Sequence, residues 1–393
     1  MNIGIDIRPL MHPVRTGVGE YTHELLNAIF AIDKNNEYFL FYNSQKDIST
    51  DIPKWAQKNV HYTATRWPNK IFNTSIKLFK HPKIDKTLII RSSDRIHREQ
   101  KNFALDWFYS PNLNFTSLSK NTKHLITVHD LSFEYFPEFY TRKRQLWHKV
   151  INYKKQCQNA TKIIVPSDNT KRDLVDKYHI SSDKIQIIYP GLSSVFKNLD
   201  AENVQRQQMQ IKKKYFLPEN FILFLGTIEP RKNISGIIKA FEQISQELPT
   251  PPALVIAGAP GWKNKKIYTI ANKSPAREQI KFIGYIAPED KPALYASADL
   301  FVYPSFYEGF GFPVLEAMAM GVPVITSNRS SLPEICNKSA FSINPNKTNE
   351  LANAMKKILT DMNQRSKQIK NGFIEAAKFS WDKAAHDWLD IIN

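Results

Sequence analysis

Two glutamates eight residues apart frame the segment of this chain whose residue types best fit chemistry on a ligand. Glu308 lies in a loop after an apolar run, and Glu316 lies where a helix is expected. Between them, Gly309 and Gly311 leave backbone N–H groups accessible at a helix N-terminus, where anions such as phosphate bind. Carboxylates accept hydrogen bonds from sugar hydroxyls. The segment predicts a site for a phosphorylated, hydroxyl-rich ligand; the alternative is two surface glutamates that stabilise the helix dipole.

A second glycine-marked turn places cations in an equivalent position. Gly226 follows the apolar run Phe221–Leu225, and Arg231 and Lys232 come just before a helix that Asn233 is expected to cap. Ligands of open α/β sheets bind at this edge, beyond the carboxyl ends of the strands. A guanidinium and an ammonium there would hold a diphosphate. The alternative is a solvated basic loop.

A third turn lies near the amino terminus. Gly17 and Gly19 follow the first apolar run and begin an amphipathic helical pattern. Backbone N–H groups there can approach a phosphate closely. The third glycine of a dinucleotide fingerprint is missing, so a simple helix cap is an equal alternative.

The elements that must position these turns are short apolar runs that alternate with helical stretches. Such runs, without polar alternation, are typical of parallel strands buried on both faces. The sequence therefore predicts an α/β fold with parallel sheets. The predicted strands are 3–7, 38–42, 125–128, 162–165, 185–189, 221–225, 253–257, 281–283, 300–303 and 322–326.

Length and composition limit the class of protein. The chain has 393 residues, 42% of them hydrophobic, which suits two globular domains. Cys157 and Cys336 are its only cysteines, so a disulfide framework is not expected. No signal sequence or apolar run of membrane-spanning length is evident. A polar stretch at residues 198–214 is predicted to be the linker between the domains. These features favour a protein of the cytoplasm, peripheral to the membrane or soluble.

Positive charge is concentrated in the first half of the chain. The net charge is +17, and residues 1–199 hold 30 basic and 18 acidic side chains, or 12 of the 17 surplus charges. Such a field favours an anionic partner. Within residues 54–101, a stretch that includes Ile71, Phe72, Ile76, Leu78 and Phe79 could form an amphipathic helix that lies on an anionic membrane. The alternative is that these apolar residues pack on the domain.

Taken together, the motifs resemble glycosyltransferase family four, retaining enzymes with the GT-B fold that use nucleotide-sugars. The resemblance covers nearly the whole chain. Its motifs are Gly4-Ile-Asp-Ile-Arg-Pro9, Thr16-Gly-Val-Gly-Glu-Tyr21, Val128-His-Asp-Leu131, Val165-Pro-Ser-Asp168, Tyr189-Pro-Gly191, Glu229-Pro-Arg-Lys-Asn233 and the Glu308-to-Glu316 element. Several of them look most like bacterial mannosyltransferases of surface polysaccharide assembly.

The resemblance implies a domain organisation. Two Rossmann-like domains with parallel sheets would face a central cleft. Residues 1–200 would form the acceptor-binding domain, residues 201–377 would bind the nucleotide-sugar, and residues 378–393 would cross back to the first domain.

The resemblance also implies roles for individual residues. In the donor site, Arg231 and Lys232 would hold the diphosphate, Glu308 the sugar and Glu316 the ribose hydroxyls. His129 would line the reacting sugar, and with Glu308, Arg231 and Lys232 it completes the candidate catalytic set. The remaining donor-binding residues, which act mostly through their backbone, are Gly17, Gly19, Gly226, Gly309, Phe310, Gly311 and Phe312. The family often carries Arg where this chain has Thr227, so Arg231 would have to compensate.

The implied chemistry requires neither a metal nor another cofactor. The sequence contains no Asp-x-Asp pair, so cations and helix N-termini would stabilise the charge that develops on the departing diphosphate. His129 could be a general base. The retaining outcome instead implies attack from the front face, with the leaving phosphate accepting the acceptor's proton and His129 shaping the site; a structural histidine is the third alternative.

The sequence leaves the donor and the acceptor open. The resemblance favours GDP-mannose as donor and a glycan or polyprenyl-diphosphate-linked acceptor. The surplus positive charge of the first half favours peripheral contact with an anionic membrane. The alternatives are a GT-B nucleotide-sugar epimerase, a phosphorylase and a basic nucleic-acid-binding protein. The Glu308-to-Glu316 spacing argues against the epimerase, and no pyridoxal-site or nucleic-acid motif is evident. Nucleic acid is therefore not an expected partner.

Overall fold

The computed structural model describes residues 1–12, 15–91, 104–196 and 201–393. Contacts divide the chain into two compact units. The first unit contains Met1–Asp130, Leu146–Gly191 and Ser380–Asn393, and the second contains Leu131–Gln145 and Leu192–Phe379.

The first unit is built on a parallel sheet of seven strands in the order β3-β2-β1-β4-β5-β6-β7. Its strands are β1 (Asn2–Asp6), β2 (Glu37–Asn43), β3 (Val60–Thr65), β4 (Trp107–Ser110), β5 (Lys123–Thr127), β6 (Lys162–Val165) and β7 (Ile185–Ile187). Helices cover the sheet, so its central strands are buried on both faces. In chain order the helices are α1 (Gly17–Ile32), α2 (Asn69–Phe79), α3 (Ile84–Arg91), α4 (Ser132–Tyr135, in the second unit), α5 (Arg142–Ile151, at the division between units), α6 (Tyr153–Asn159) and α7 (Asp168–Tyr178).

The second unit has a parallel sheet of six strands in the order β10-β9-β8-β11-β12-β13. Its strands are β8 (Phe221–Leu225), β9 (Ala253–Ala257), β10 (Ile280–Gly284), β11 (Leu300–Tyr303), β12 (Val324–Ser327) and β13 (Phe341–Ile343). The helices are α8 (Ala201–Lys214), α9 (Ile234–Glu247), α10 (Lys265–Lys273), α11 (Lys291–Ala296), α12 (Phe312–Ala319), α13 (Leu332–Cys336), α14 (Thr348–Thr360), α15 (Met362–Ala376) and, in the first unit, α16 (Trp381–Ile392). The two parallel sheets confirm the predicted fold class.

Four strands, β6, β8, β9 and β11, have the limits that the sequence predicts. Strands β3, β4 and β13 are not predicted by the sequence. Strands β3 and β13 lie at sheet edges, where partial exposure breaks the continuous apolar run that marks a central strand.

The prediction of a linker at residues 198–214 is wrong for most of that stretch, because α8 occupies residues 201–214; residues 198–200 lie outside the described residues. Ile211 is buried, and the Gln208 side chain donates a hydrogen bond to the Ala296 carbonyl. The sequence of this helix resembles a linker because only a narrow face of the helix packs on the rest of the second unit.

The division between the units differs in detail from the predicted ranges. It falls after Gly191 rather than after residue 200, and Leu131–Gln145 joins the second unit although the prediction placed it in the first. Within that segment, Phe139 accepts a hydrogen bond from the Trp262 ring at 2.6 Å, and Arg144 lies over that ring. These contacts tie the segment to the second unit. The last residues, from Ser380 on, belong to the first unit.

The predicted amphipathic helix is α2; its packing on the domain is confirmed in part, and its contact with a membrane stays a prediction. Phe72 and Ile76 are buried in a core cluster, as the packing alternative requires. Ile71, Leu78 and Phe79 are exposed, and Phe79 is 74% exposed.

None of the helices within the described residues is long and apolar enough to cross a bilayer.

Candidate active site

Helix α12 begins at a backbone conformation that only glycine adopts easily. Gly311 precedes the helix with φ of +124°, and a Cβ there would lie 2.8 Å from Leu332 Cδ2. The chain therefore turns sharply from the loop after β11 into α12, with Glu308 in the loop and Glu316 within the helix.

Glu308 is the centre of a buried cluster of charges. Its Oε1 accepts a hydrogen bond from Lys232 Nζ at 2.6 Å, and its Oε2 pairs with Arg231 Nη1 at 3.0 Å. Lys232 also donates to the Tyr303 hydroxyl at 2.5 Å. The carboxylate side chain is only 10% exposed. The structure thus brings the two cations from the turn after β8 to the carboxylate from the loop after β11.

The charges of the cluster stabilise one another. Burial by itself raises the pKa of Glu308, but the charges of Arg231 and Lys232 outweigh burial and lower that pKa to about 2. Burial, and next the charge of Arg231, lower the pKa of Lys232, while Glu308 opposes them. Burial and the charge of Glu308 raise the pKa of Tyr303 well above its usual value. The tyrosine therefore stays a neutral hydroxyl beside an ionised carboxylate.

Arg231 is fixed from a second side by Glu229. The arginine Nε and Nη2 both reach Glu229 Oε1, at 3.0 and 2.8 Å, and its Nη1 donates to the Tyr307 carbonyl at 2.6 Å. Glu229 is almost fully buried, and its Oε2 has no hydrogen-bond partner among the described residues. The guanidinium is thus held in one orientation by two carboxylates.

Gly226 and Asn233 flank this turn. A Cβ on Gly226 would lie 3.5 Å from the Tyr303 ring, so the glycine backbone lies beside the cluster. Asn233 precedes α9 as predicted, but its side chain does not cap the helix. It instead donates to the Pro345 carbonyl at 2.8 Å, because the residue adopts a left-handed conformation with φ of 55°.

Two serines hold the loop that carries Glu308, Gly309 and Phe310. The Glu308 N–H donates to Ser330 Oγ at 2.8 Å, and Ser331 Oγ donates to the Glu308 and Phe310 carbonyls at 3.0 and 2.6 Å. The rings of Phe310 and Phe312 meet edge to face, with centroids 5.1 Å apart. The backbone of the loop is therefore fixed before any ligand binds.

Glu316 has its own partners on α11. Its Oε2 accepts a hydrogen bond from the Tyr295 hydroxyl at 2.8 Å, and its Oε1 accepts one from Lys291 Nζ at 3.4 Å. Burial and the charge of Glu316 raise the pKa of Tyr295 well above its usual value. The Glu316 side chain is only 10% exposed, so Glu316 is not the surface glutamate that the helix-dipole alternative requires.

The remaining predicted residues belong to the first unit. Gly17 begins α1, and the Gly19 N–H donates to Thr16 Oγ1 at 3.5 Å. His129 Nε2 forms a 2.8 Å hydrogen bond with the Pro111 carbonyl, and the ring meets Tyr21 edge to face at 4.8 Å. Burial lowers the pKa of His129, opposed by that hydrogen bond and by the charge of Asp130. The histidine is therefore neutral at pH 7.

The sequence predicts Arg231, Lys232 and Glu308 as site residues, and the structure brings these three residues into one cluster. Glu229 is recognisable in the sequence only as part of a motif, and neither Tyr303 nor the α11 residues that hold Glu316 are predicted by the sequence. Their signal was weak, because a tyrosine in a buried strand reads as core.

Profiles of two glycosyltransferase families match this chain. "Glycosyltransferase Family 4" matches residues 17–194, and "Glycosyl transferases group 1" matches residues 205–374. The O-antigen chain mannosyltransferase B of Escherichia coli is 28% identical over 387 residues and covers 97% of both chains. The serotype-specific mannosyltransferase WbdA of the same organism is 32% identical over 255 residues, which are 64% of this chain but 30% of WbdA.

The fold also has a close structural counterpart. HepE of Anabaena, solved in complex with UDP and glucose, superposes with a TM-score of 0.69 at 17% identity, covering 100% of this chain and 99% of that one. Together, the two family profiles account for nearly the whole length, and each lies largely within one of the two units. The chain belongs to glycosyltransferase family four and is a glycosyltransferase of the GT-B fold.

Proposed function

We propose that the enzyme transfers mannose from GDP-mannose, with retention of configuration, to a growing glycan in surface polysaccharide assembly. The observation that carries the proposal is the cluster of Arg231, Lys232 and Glu308 beyond the carboxyl ends of β8 and β11. Ligands of open α/β sheets bind at that edge. The choice of mannose follows the E. coli O-antigen mannosyltransferase, which is similar over 97% of both chains.

In this proposal, the donor diphosphate binds against Arg231 and Lys232. The guanidinium is oriented by Glu229 before the donor arrives, so it need not reorganise as charge develops. Lys232 has two described acceptors, Tyr303 and Glu308, for its three N–H groups, and the third N–H would donate to a phosphate oxygen. These cations stabilise the GDP that leaves when the sugar–phosphate bond breaks.

The carboxylates would recognise the two sugars of the donor. Glu308 is ionised at any physiological pH, so it can accept hydrogen bonds from hydroxyls of the transferred sugar, beside the fixed backbone from Gly309 to Phe312. Glu316 would accept hydrogen bonds from the ribose hydroxyls. Because Tyr295 and Lys291 already anchor that carboxylate, its orientation does not depend on the ligand.

His129 would position a sugar rather than take a proton. The histidine is neutral, and donation from Nε2 to the Pro111 carbonyl places the ring's lone pair on Nδ1. Nδ1 can then accept a hydrogen bond from a sugar hydroxyl. The acceptor's proton would instead pass to the leaving phosphate as the acceptor oxygen attacks from the same face.

We further propose that no metal or other cofactor takes part, and that Gly17, Gly19 and Gly226 contribute backbone contacts to the donor. The acceptor would be a glycan carried on a polyprenyl diphosphate, with the enzyme in peripheral contact with an anionic membrane. The surplus positive charge of residues 1–199 supports such a contact.

The test is a donor screen that measures release of the product nucleotide and mass spectrometry of the acceptor. We expect GDP-mannose, but not UDP-glucose or UDP-galactose, to extend a lipid-linked mannose-terminated acceptor by one α-linked hexose. Replacement of Lys232 by methionine should abolish transfer, whereas Lys239→Met, at a position on α9 that is exposed to solvent, should not. Product nucleotide from another donor alone, or a freely released altered sugar, would refute the proposal.

A further inference from the structure

A cavity of about 640 Å³ opens in the first unit, and its described lining includes none of the candidate active-site residues. Its lining includes Thr122 and His124, at the start of β5, and Thr161, just before β6. Gly19 and His129 instead follow the carboxyl ends of β1 and β5. Because these strands are parallel, the cavity lies at the opposite edge of the sheet from those residues.

The cavity is strongly basic, and we call it the basic cleft. Five lysines line it: Lys77, Lys80, Lys83, Lys120 and Lys155. Its described lining includes no aspartate or glutamate, and none of the five lysines forms an ion pair with a described residue. Asp85, which lies nearby, directs its carboxylate to the Ser119 N–H at 3.0 Å and to the Thr122 hydroxyl at 3.1 Å.

The charge of the basic cleft comes from its lysines alone. His124 adds none at pH 7, because burial lowers its pKa to about 4. Lys83 is held in place by hydrogen bonds to Ser117 Oγ at 3.1 Å and to the Leu118 carbonyl at 2.9 Å. Like charges around one cavity repel one another. A multiply charged anion would relieve that repulsion.

An apolar surface adjoins two of these lysines. Helix α2 ends with Leu78 and Phe79, which are 62% and 74% exposed, between Lys77 and Lys80 of the basic cleft. Large apolar side chains set among lysines are typical of segments that enter the interface of an anionic bilayer. A soluble phosphate compound would make no use of the leucine and phenylalanine. The juxtaposition therefore favours a lipid surface.

We propose that the basic cleft binds the phosphate headgroup of an anionic phospholipid while Leu78 and Phe79 insert into the bilayer interface. The inference deepens the membrane contact of the proposed function, and rests on it for the presence of the enzyme at a membrane. It assigns that contact to one site, at the edge of the first sheet opposite Gly19 and His129.

Vesicle sedimentation tests the role of the lysines. The probe is phosphatidylcholine vesicles with and without phosphatidylglycerol. Each lysine near an anionic surface contributes about fivefold to partitioning, so the variant Lys80→Gln/Lys120→Gln/Lys155→Gln should bind the anionic vesicles on the order of 100-fold more weakly. The matched control removes three exposed lysines of the second unit, Lys266→Gln/Lys338→Gln/Lys367→Gln, and should bind like the unaltered protein. Equal losses in both variants would overturn the assignment to the cleft.

A second variant tests the lipid itself. Leu78→Ser/Phe79→Ser changes only exposed side chains and should also weaken binding to anionic vesicles. Undiminished binding would overturn lipid insertion and favour a soluble anion. Transfer to a short water-soluble acceptor is measured alongside and should be unchanged in all three variants. If the unaltered protein does not transfer sugar to this water-soluble acceptor, the proposed function is contradicted. The binding of the variants to vesicles alone decides the role of the basic cleft.

Discussion

Replacement of Glu308 by glutamine should lower the stability of the nucleotide-free enzyme in a way that depends on pH. The substitution keeps the size of the side chain but removes the charge that pairs with Lys232 at 2.6 Å and Arg231 at 3.0 Å. Both cations would then be buried with less compensation, which is costly because a buried charge needs a partner.

The size of the effect follows from the pKa of Glu308. The folded protein lowers this pKa from its ordinary value of 4.5 to about 2. At about 1.4 kcal/mol per pKa unit, the ionised carboxylate contributes about 3 kcal/mol to the free energy of unfolding at neutral pH. Because the unfolded chain binds the proton more readily, this contribution is complete above about pH 5. The contribution decreases as the pH drops below that value and is almost entirely lost at about pH 2.

Urea unfolding at neutral pH and at about pH 3 measures this contribution. We expect Glu308→Gln to be about 3 kcal/mol less stable than the unaltered protein at neutral pH, with less than half of that gap remaining at about pH 3. Glu289→Gln, at an exposed position, is the control and should show no such gap. A gap of the same size at both pH values would refute the reasoning, because it would mean that the ion pairs do not depress the pKa of Glu308.

Three further predictions concern the neighbouring elements. Glu316→Gln should weaken GDP binding in calorimetry by roughly 1.5–3 kcal/mol, the contribution of a charged hydrogen bond. The control Tyr295→Phe keeps the carboxylate and should weaken GDP binding much less. If Glu316→Gln binds GDP as tightly as the unaltered protein, the assignment of Glu316 to the ribose is contradicted. Gly311→Ala should lower the melting temperature, because φ of +124° and a 2.8 Å approach to Leu332 cost about 1–3 kcal/mol, while Gly17→Ala, whose Cβ meets no atom within 4 Å, should not. Transfer should continue in excess chelator, and its abolition with rescue by Mg²⁺ or Mn²⁺ would show that the cations of the cluster are insufficient.

The sequence predicts most of the fold because central parallel strands need continuous apolar runs. Four such strands, β6, β8, β9 and β11, have the limits expected from those runs. Helix α8 has too few apolar residues to be distinguished from a linker by sequence, because a helix that contacts its domain along a narrow face is polar almost everywhere else. Edge strands such as β3 share that weakness, because half of their pattern faces solvent.

For the candidate site, local spacing reveals the residues but not their partners. Arg231 and Lys232 are recognisable in one turn, and Glu308 is recognisable in another. Their pairing spans 76 residues and exists because β8 and β11 are neighbours in the sheet. No local pattern reports that adjacency. Tyr303 is likewise not recognisable from local sequence, because a tyrosine in a buried strand has the pattern of a core residue. Its part in the site is evident only from the hydrogen bond that Lys232 donates to its hydroxyl.

The return of the last helix to the first unit has a consequence for how the protein is made. Trp381 lies against Gly191 so closely that a Cβ there would meet its backbone nitrogen at 2.2 Å, and the Ile392 carbonyl accepts a hydrogen bond from the Trp107 ring. Domains usually fold during synthesis in the order in which they leave the ribosome. In this protein, part of the core of the amino-terminal unit stays exposed until Trp381–Ile392 leaves the ribosome, after the second unit has been synthesised. Chaperones that shield apolar surface on the nascent chain would therefore be needed longest by the unit that is translated first.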